Sequence, residues 1–88
     1  MKKITDYNLG DSWHLRQLGM KPNEEFIVLT DVDDLKKDDH VKFIGFDDVD
    51  NHYGIFVFLN AKGDVVELRG DFSSSESLHK VERALSRI

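Results

Sequence analysis

The chain has 88 residues, 40% hydrophobic and 33% charged, with 17 Asp and Glu against 12 Lys and Arg and a formal net charge of −5. That length accommodates one domain with a small core, and the balance of apolar to charged residues is that of a folded chain. The acidic excess argues against general binding to phosphate backbones, and the lack of cysteine excludes disulfides and thiolate metal sites.

A cysteine-free chain fits a reducing interior, so the cytoplasm is the expected compartment. The opening MKKITDYNLG is followed by no apolar run of signal-peptide length. The longest apolar stretch, Ile55 to Leu59, is too short to cross a bilayer, so no membrane association is expected.

In DSWHLRQLGMKPNEEF, Asp11 or Ser12 can cap a short helix and Gly19 can end it in the left-handed conformation, with Leu15 and Leu18 on one face. Pro22 and Asn23 turn the chain into a first strand, Glu25 to Thr30. Asp31 to Asp39 is a long polar loop in which only Val32 and Leu35 can tuck under. Strands over His40 to Phe46 and Tyr53 to Leu59 follow, then a glycine-containing turn at Ala61 to Asp64 and a strand from Val65 to Arg69. The result is an antiparallel meander.

Within Tyr53 to Leu59, Ile55, Val57 and Leu59 alternate with Phe56 and Phe58, so both faces are apolar and the strand should be covered on both sides. The C-terminus offers the cover. Ser73 and Glu76 have capping-box spacing, and Leu78, Val81, Leu85 and Ile88 recur at helical intervals, which predicts an amphipathic helix. The expected class is α+β: a small antiparallel barrel or meander with a short N-terminal helix and a C-terminal helix.

The segments EEFIVLTDVDDLKKDDHVKFIGF and YGIFVFLNAKGDVVELRG resemble SH3-like small barrels, in which a long first loop precedes a three-stranded meander. That family finishes with a fifth strand where the periodicity here predicts a helix. LRQLGMKPNEEFIVL, Leu15 to Leu29, resembles the helix, turn and strand of FeoA-type iron-transport domains. Asn23 stands where that pattern has glycine, and ten residues leave no room for its N-terminal strand pair, so no iron role is carried over. LKKDDHVKF, Leu35 to Phe43, is similar to small acidic accessory proteins of bacteriophages.

Asp48, Asp50 and His52 alternate as oxygen and nitrogen ligands can, but a calcium loop starting at Asp48 would need Gly and Glu where Tyr53 and Leu59 stand. His14, His40, His52 and His79 lack zinc spacing and read as isolated surface histidines, so no metal and no cofactor are expected. Ser73, Ser74, Ser75 and Ser77 lie near His79 without a glycine-flanked nucleophile, and no phosphate-binding glycine loop exists. An enzyme is not expected.

Between Asp31 and Asp50 eight acidic residues face three lysines, an excess equal to the whole net charge. On adjacent loops, Asp31, Asp33, Asp34, Asp47, Asp48 and Asp50, with Tyr53 and Trp13 left partly exposed, would form one negative surface for a basic protein partner. Such a domain would be an interaction or inhibitor protein. The plainer explanation is that these acids form turns, aid solubility and protect strand edges. The alternative binding surface is nucleic-acid contact through His79, Lys80, Arg83 and Arg87, and a third possibility is a regulatory subunit. The oligomeric state is not legible.

Overall fold

The structure is a computed structural model, described here for residues 3–50 and 53–88. A 3-10 turn at Ile4–Asp6 precedes β1 (Leu9–Gly10), α1 (Trp13–Leu18), β2 (Glu25–Val28), β3 (His40–Asp48), β4 (Tyr53–Asn60) and β5 (Val65–Asp71). A second 3-10 turn, Glu76–Leu78, leads into α2 (His79–Ala84) and β6 (Leu85–Arg87). All strands join one antiparallel sheet in the order β5-β4-β3-β2-β6, with β1 paired to β3. Among the described residues β5 and β6 are not paired with each other, so the sheet is open where a closed barrel was expected.

The long loop behaves as its composition requires. Leu35 is fully buried, Val32 packs against the core, and the two residues form a small bridge. At the end of α1, Gly19 takes φ 67° and the Met20 amide donates to the Leu15 carbonyl at 3.0 Å, closing the helix between two buried side chains. Asn23, at φ 74°, occupies the left-handed region that asparagine tolerates better than most residues, which accounts for it in place of glycine.

β3 carries a bulge between Phe43 and Gly45. Side chains three apart normally point to opposite faces, but the extra residue returns Phe46 to the same side as Phe43. Phe43 then pairs with Phe58 and Phe46 with Phe56, and the four rings join Phe72 in the core. Phe46 and Phe56 have centroids 4.7 Å apart, and Phe56 meets Phe72 edge-on at 5.0 Å. Each buried ring contributes roughly 1.5–3 kcal/mol by its removal from water.

The C-terminal helix is shorter than its periodicity predicts. Val81 and Ala84 are buried on it and Leu78 in the 3-10 turn before it, but the chain turns extended at Leu85, and Leu85 and Ile88 lie outside the helix. The reason is the exposed edge of β2, whose backbone groups need partners. β6 supplies them, pairing Arg87, Ser86 and Leu85 with Phe26, Ile27 and Val28, and at its two ends the Leu29 amide donates to the Ala84 carbonyl at 2.7 Å and the Ile88 amide to the Glu25 carbonyl at 3.3 Å. The predicted capping box of Ser73 and Glu76 is not formed: Glu76 follows its N-cap Ser75 directly, and the Ser73 amide donates instead to Asp71 at 3.1 Å.

The second face of β4 is covered from the other end of the chain. Gly45, Val57 and Glu67 form one row across β3, β4 and β5. A Cβ on Gly45 would lie 3.2 Å from Leu9, and the Tyr7 hydroxyl donates to the Glu67 carboxylate. The segment from Tyr7 to Leu9 therefore lies over this row, while the C-terminal helix packs on the phenylalanine side.

Candidate functional site

The six predicted acids differ in what they bind. Asp31, Asp33 and Asp34 are bound into the fold: Asp31 accepts from the Lys37 amide at 2.7 Å, Asp33 from the Arg69 amide at 2.8 Å and Asp34 from the Glu67 amide at 3.2 Å. The last two contacts occupy amides along β5, at the edge of the sheet. Asp33 has φ 50° and Asp38 φ 74°, so aspartate there also serves a backbone conformation that few side chains tolerate.

Cations complete this edge. Arg69 lies 2.6 Å from Glu67, 3.4 Å from Asp34 and 3.9 Å from Asp33. Lys80 donates to the Arg69 carbonyl at 2.7 Å and sits 3.6 Å from Asp33. The hydrogen bond to Glu67, with the neighbouring aspartates, holds the Arg69 pKa above its ordinary value against the opposing effect of burial. Burial, then the Glu67 carboxylate, pushes the Tyr7 phenol well above its usual range. The network joins the N-terminal segment, the long loop, β5 and α2, and it leaves no described buried polar side-chain atom unsatisfied.

Asp47 and Asp48, expected in the connection after Phe46, are paired residues at the end of β3, opposite Ile55 and Gly54, with Asp50 just beyond; the register sets Asp47 two strands from Arg69, across Ile55. Asp47 accepts from the Asn8 amide at 3.1 Å and Asp50 from the Tyr53 amide at 2.9 Å. Among the described residues, Asp47 and Asp48 have no cation within ion-pair distance; nor does Asp71, the cross-strand neighbour of Tyr53. Asn51 and His52, with the metal reading that used His52, lie outside the described residues, and no metal-binding group of acids and histidines occurs among the described ones.

Both singled-out aromatics are exposed, Trp13 at 41% and Tyr53 at 38%, with Val49 at 52%. They share one end of the sheet. Trp13 stacks on His14 at 4.0 Å, and His14 packs on Phe46 at 4.6 Å. Phe46 lies so close beneath Gly54, beside Tyr53, that a Cβ there would come within 2.3 Å of its ring. His14 is thus a buried residue and not the surface histidine expected: its Nε2 lies 2.6 Å from the Phe72 carbonyl and its Nδ1 3.0 Å from the Ser12 hydroxyl. His40 is exposed and faces Glu25 at 2.8 Å.

The predicted basic set is divided. His79 and Arg83 are exposed on α2, whereas Lys80 is turned to the β5 edge. Arg87, on β6, reaches Glu24 at 3.2 Å and the Gly19 carbonyl at 2.5 Å, with its guanidinium over the Phe26 ring. Burial raises the Glu24 pKa, but the Lys21 amide and Arg87 outweigh it and leave the carboxyl below its ordinary value.

A feature that sequence reasoning missed is an apolar groove of about 620 Å³ between β1, α1 and β3. Leu9, Leu15, Met20, Pro22 and Ile44 line it, with Arg16 and Lys21 among its basic residues. The two-residue strand and the bulge that create it have no clear sequence signal. Against this geometry, no protein-family model, no curated protein and no solved structure matches the chain. No helix among the described residues is long and apolar enough to cross a membrane.

Proposed function

We propose that this protein is a non-enzymatic interaction or inhibitor protein that docks a basic protein partner at the Asp47 to Tyr53 end of its sheet. One observation carries this reading: exposed Trp13, Val49 and Tyr53 share an end of the sheet with Asp47 and Asp48, which have no cationic partner among the described residues. Aromatic faces and carboxylates attract the same cations, so an Arg- or Lys-rich surface fits both. Asp31, Asp33 and Asp34 have structural duties and stand outside the proposed contact.

An SH3-like architecture and the cytoplasm form part of the proposal. The β3-β4-β5 meander after a long polar loop and the final strand β6 beside β2 support the architecture. The absence of cysteine supports the compartment. An origin among bacteriophage accessory proteins is carried only by LKKDDHVKF. Nucleic-acid binding has less support, because Lys80 and Arg87 are engaged within the fold.

The test is a pull-down from the source cell at low and moderate salt, comparing wild type with Asp47→Asn/Asp48→Asn/Asp50→Asn and with Trp13→Ala. A stoichiometric basic protein is expected with wild type and lost with the triple variant. A partner retained by the triple variant, or recovery of nucleic acid alone, rejects the acidic docking surface.

A further inference from the structure

The groove between β1, α1 and β3 lies where the β3 ladder changes partners. β2 pairs with β3 up to Lys42 and β1 from Phe46 onward, and the bulge falls between them. Two further bonds, from the Asn23 amide to the Phe43 carbonyl at 2.7 Å and from the Phe43 amide to the Glu24 carbonyl at 2.8 Å, extend the β2 side as far as Phe43. Ile44 and Gly45 then line the gap, together with Gly10 and Gly19. Its volume of about 620 Å³ falls within the roughly 300–1,000 Å³ typical of small-molecule sites.

The charge around this apolar lining contrasts with that of the whole chain. Against a net −5 for the protein, the groove brings together Arg16 and Lys21 with a single acid, Asp11. The Arg16 to Asp11 pair, at 2.9 Å, has side chains 66% and 76% exposed, so it is weak and easily exchanged. Lys21 has no ion-pair partner among the described residues.

We infer that this groove binds a small amphipathic carboxylate, an acyl or aryl acid, with its apolar body against Leu9, Leu15, Met20, Pro22 and Ile44 and its carboxylate between Arg16 and Lys21. The site is separate from the acidic end and stands or falls independently of the docking proposal. An apolar lining supplies affinity for any hydrocarbon chain, and the two cations select among head groups.

The test is titration of the full chain with octanoate, octylammonium and octanol, followed through backbone amide resonances. Octanoate is expected to shift the amides of Leu9, Gly10, Ile44 and Gly45 saturably at one equivalent, binding about fivefold more tightly than octylammonium. Arg16→Glu/Lys21→Glu changes two exposed residues and should reverse that preference while leaving octanol binding unchanged. Absence of saturable shifts, equal affinity for the two charged probes, or shifts centred on Trp13 and Tyr53 would overturn the assignment.

Discussion

The loop from Asp31 to Asp39 and the segment from Asp47 to Asp50, which ends β3 and leads out of it, have similar acidic compositions but different roles. In the first, Asp33 and Asp34 accept hydrogen bonds from the edge strand and are surrounded by Arg69 and Lys80. In the second, Asp47 accepts from the distant Asn8 amide and Asp50 from the Tyr53 amide, and Asp47 and Asp48 meet no cation among the described residues. Carboxylates that complete a sheet edge contribute to stability. Carboxylates that meet no cation, as Asp47 and Asp48 do among the described residues, leave their charge to the solvent or to a partner.

The sharpest way to break this contrast is at the buried centre of the first region. Glu67→Ala leaves Arg69 and Tyr7 without their carboxylate and should cost about 3 kcal/mol of unfolding free energy, measured by urea denaturation. Asp33→Ala/Asp34→Ala exposes two β5 amides and should cost about 1–3 kcal/mol in the same assay. By contrast, Asp47→Asn/Asp48→Asn/Asp50→Asn keeps an acceptor oxygen at each position and should shift stability by about 0.5 kcal/mol or less while removing partner binding. Equal losses from the two sets of variants would erase the distinction.

Two pH effects refine the comparison. The Tyr7 pKa is raised, so the folded state retains a proton that the unfolded state releases; this contribution is complete below the ordinary value of 10.0 and is lost as pH rises beyond it towards the folded value. Tyr7→Phe should flatten that alkaline decline in melting temperature. Glu24 has the opposite sign: its contribution is present above the ordinary 4.5 and is lost as pH falls through its lower folded value, so Glu24→Gln should remove a small part of the acid sensitivity.

Much of the fold was legible because its signals are local. The alternation in Tyr53–Asn60, the left-handed Gly19, the turn at Gly63 and the tucked Leu35 each follow from the residue and its neighbours. Leu85 and Ile88 misled because spacing cannot show that β2 lacks a partner across the sheet. His14 misled because its burial comes from Phe46 and Phe72, which are distant in sequence. Of the candidate site, the exposure of Trp13 and Tyr53 was readable from their polar neighbours, but which acids the fold pairs with cations was not.

The sequence by itself determined the antiparallel meander, the long acidic loop and the excess charge, because backbone preference and side-chain alternation act over a few residues. Only the tertiary structure decided which acids bind the β5 edge, which end of the chain covers Val57, and where the apolar groove opens. Those outcomes depend on strand register and on hydrogen-bond partners as far apart as Asp33 and Arg69, and such pairings are settled by the requirement that the whole sheet satisfy its backbone at once.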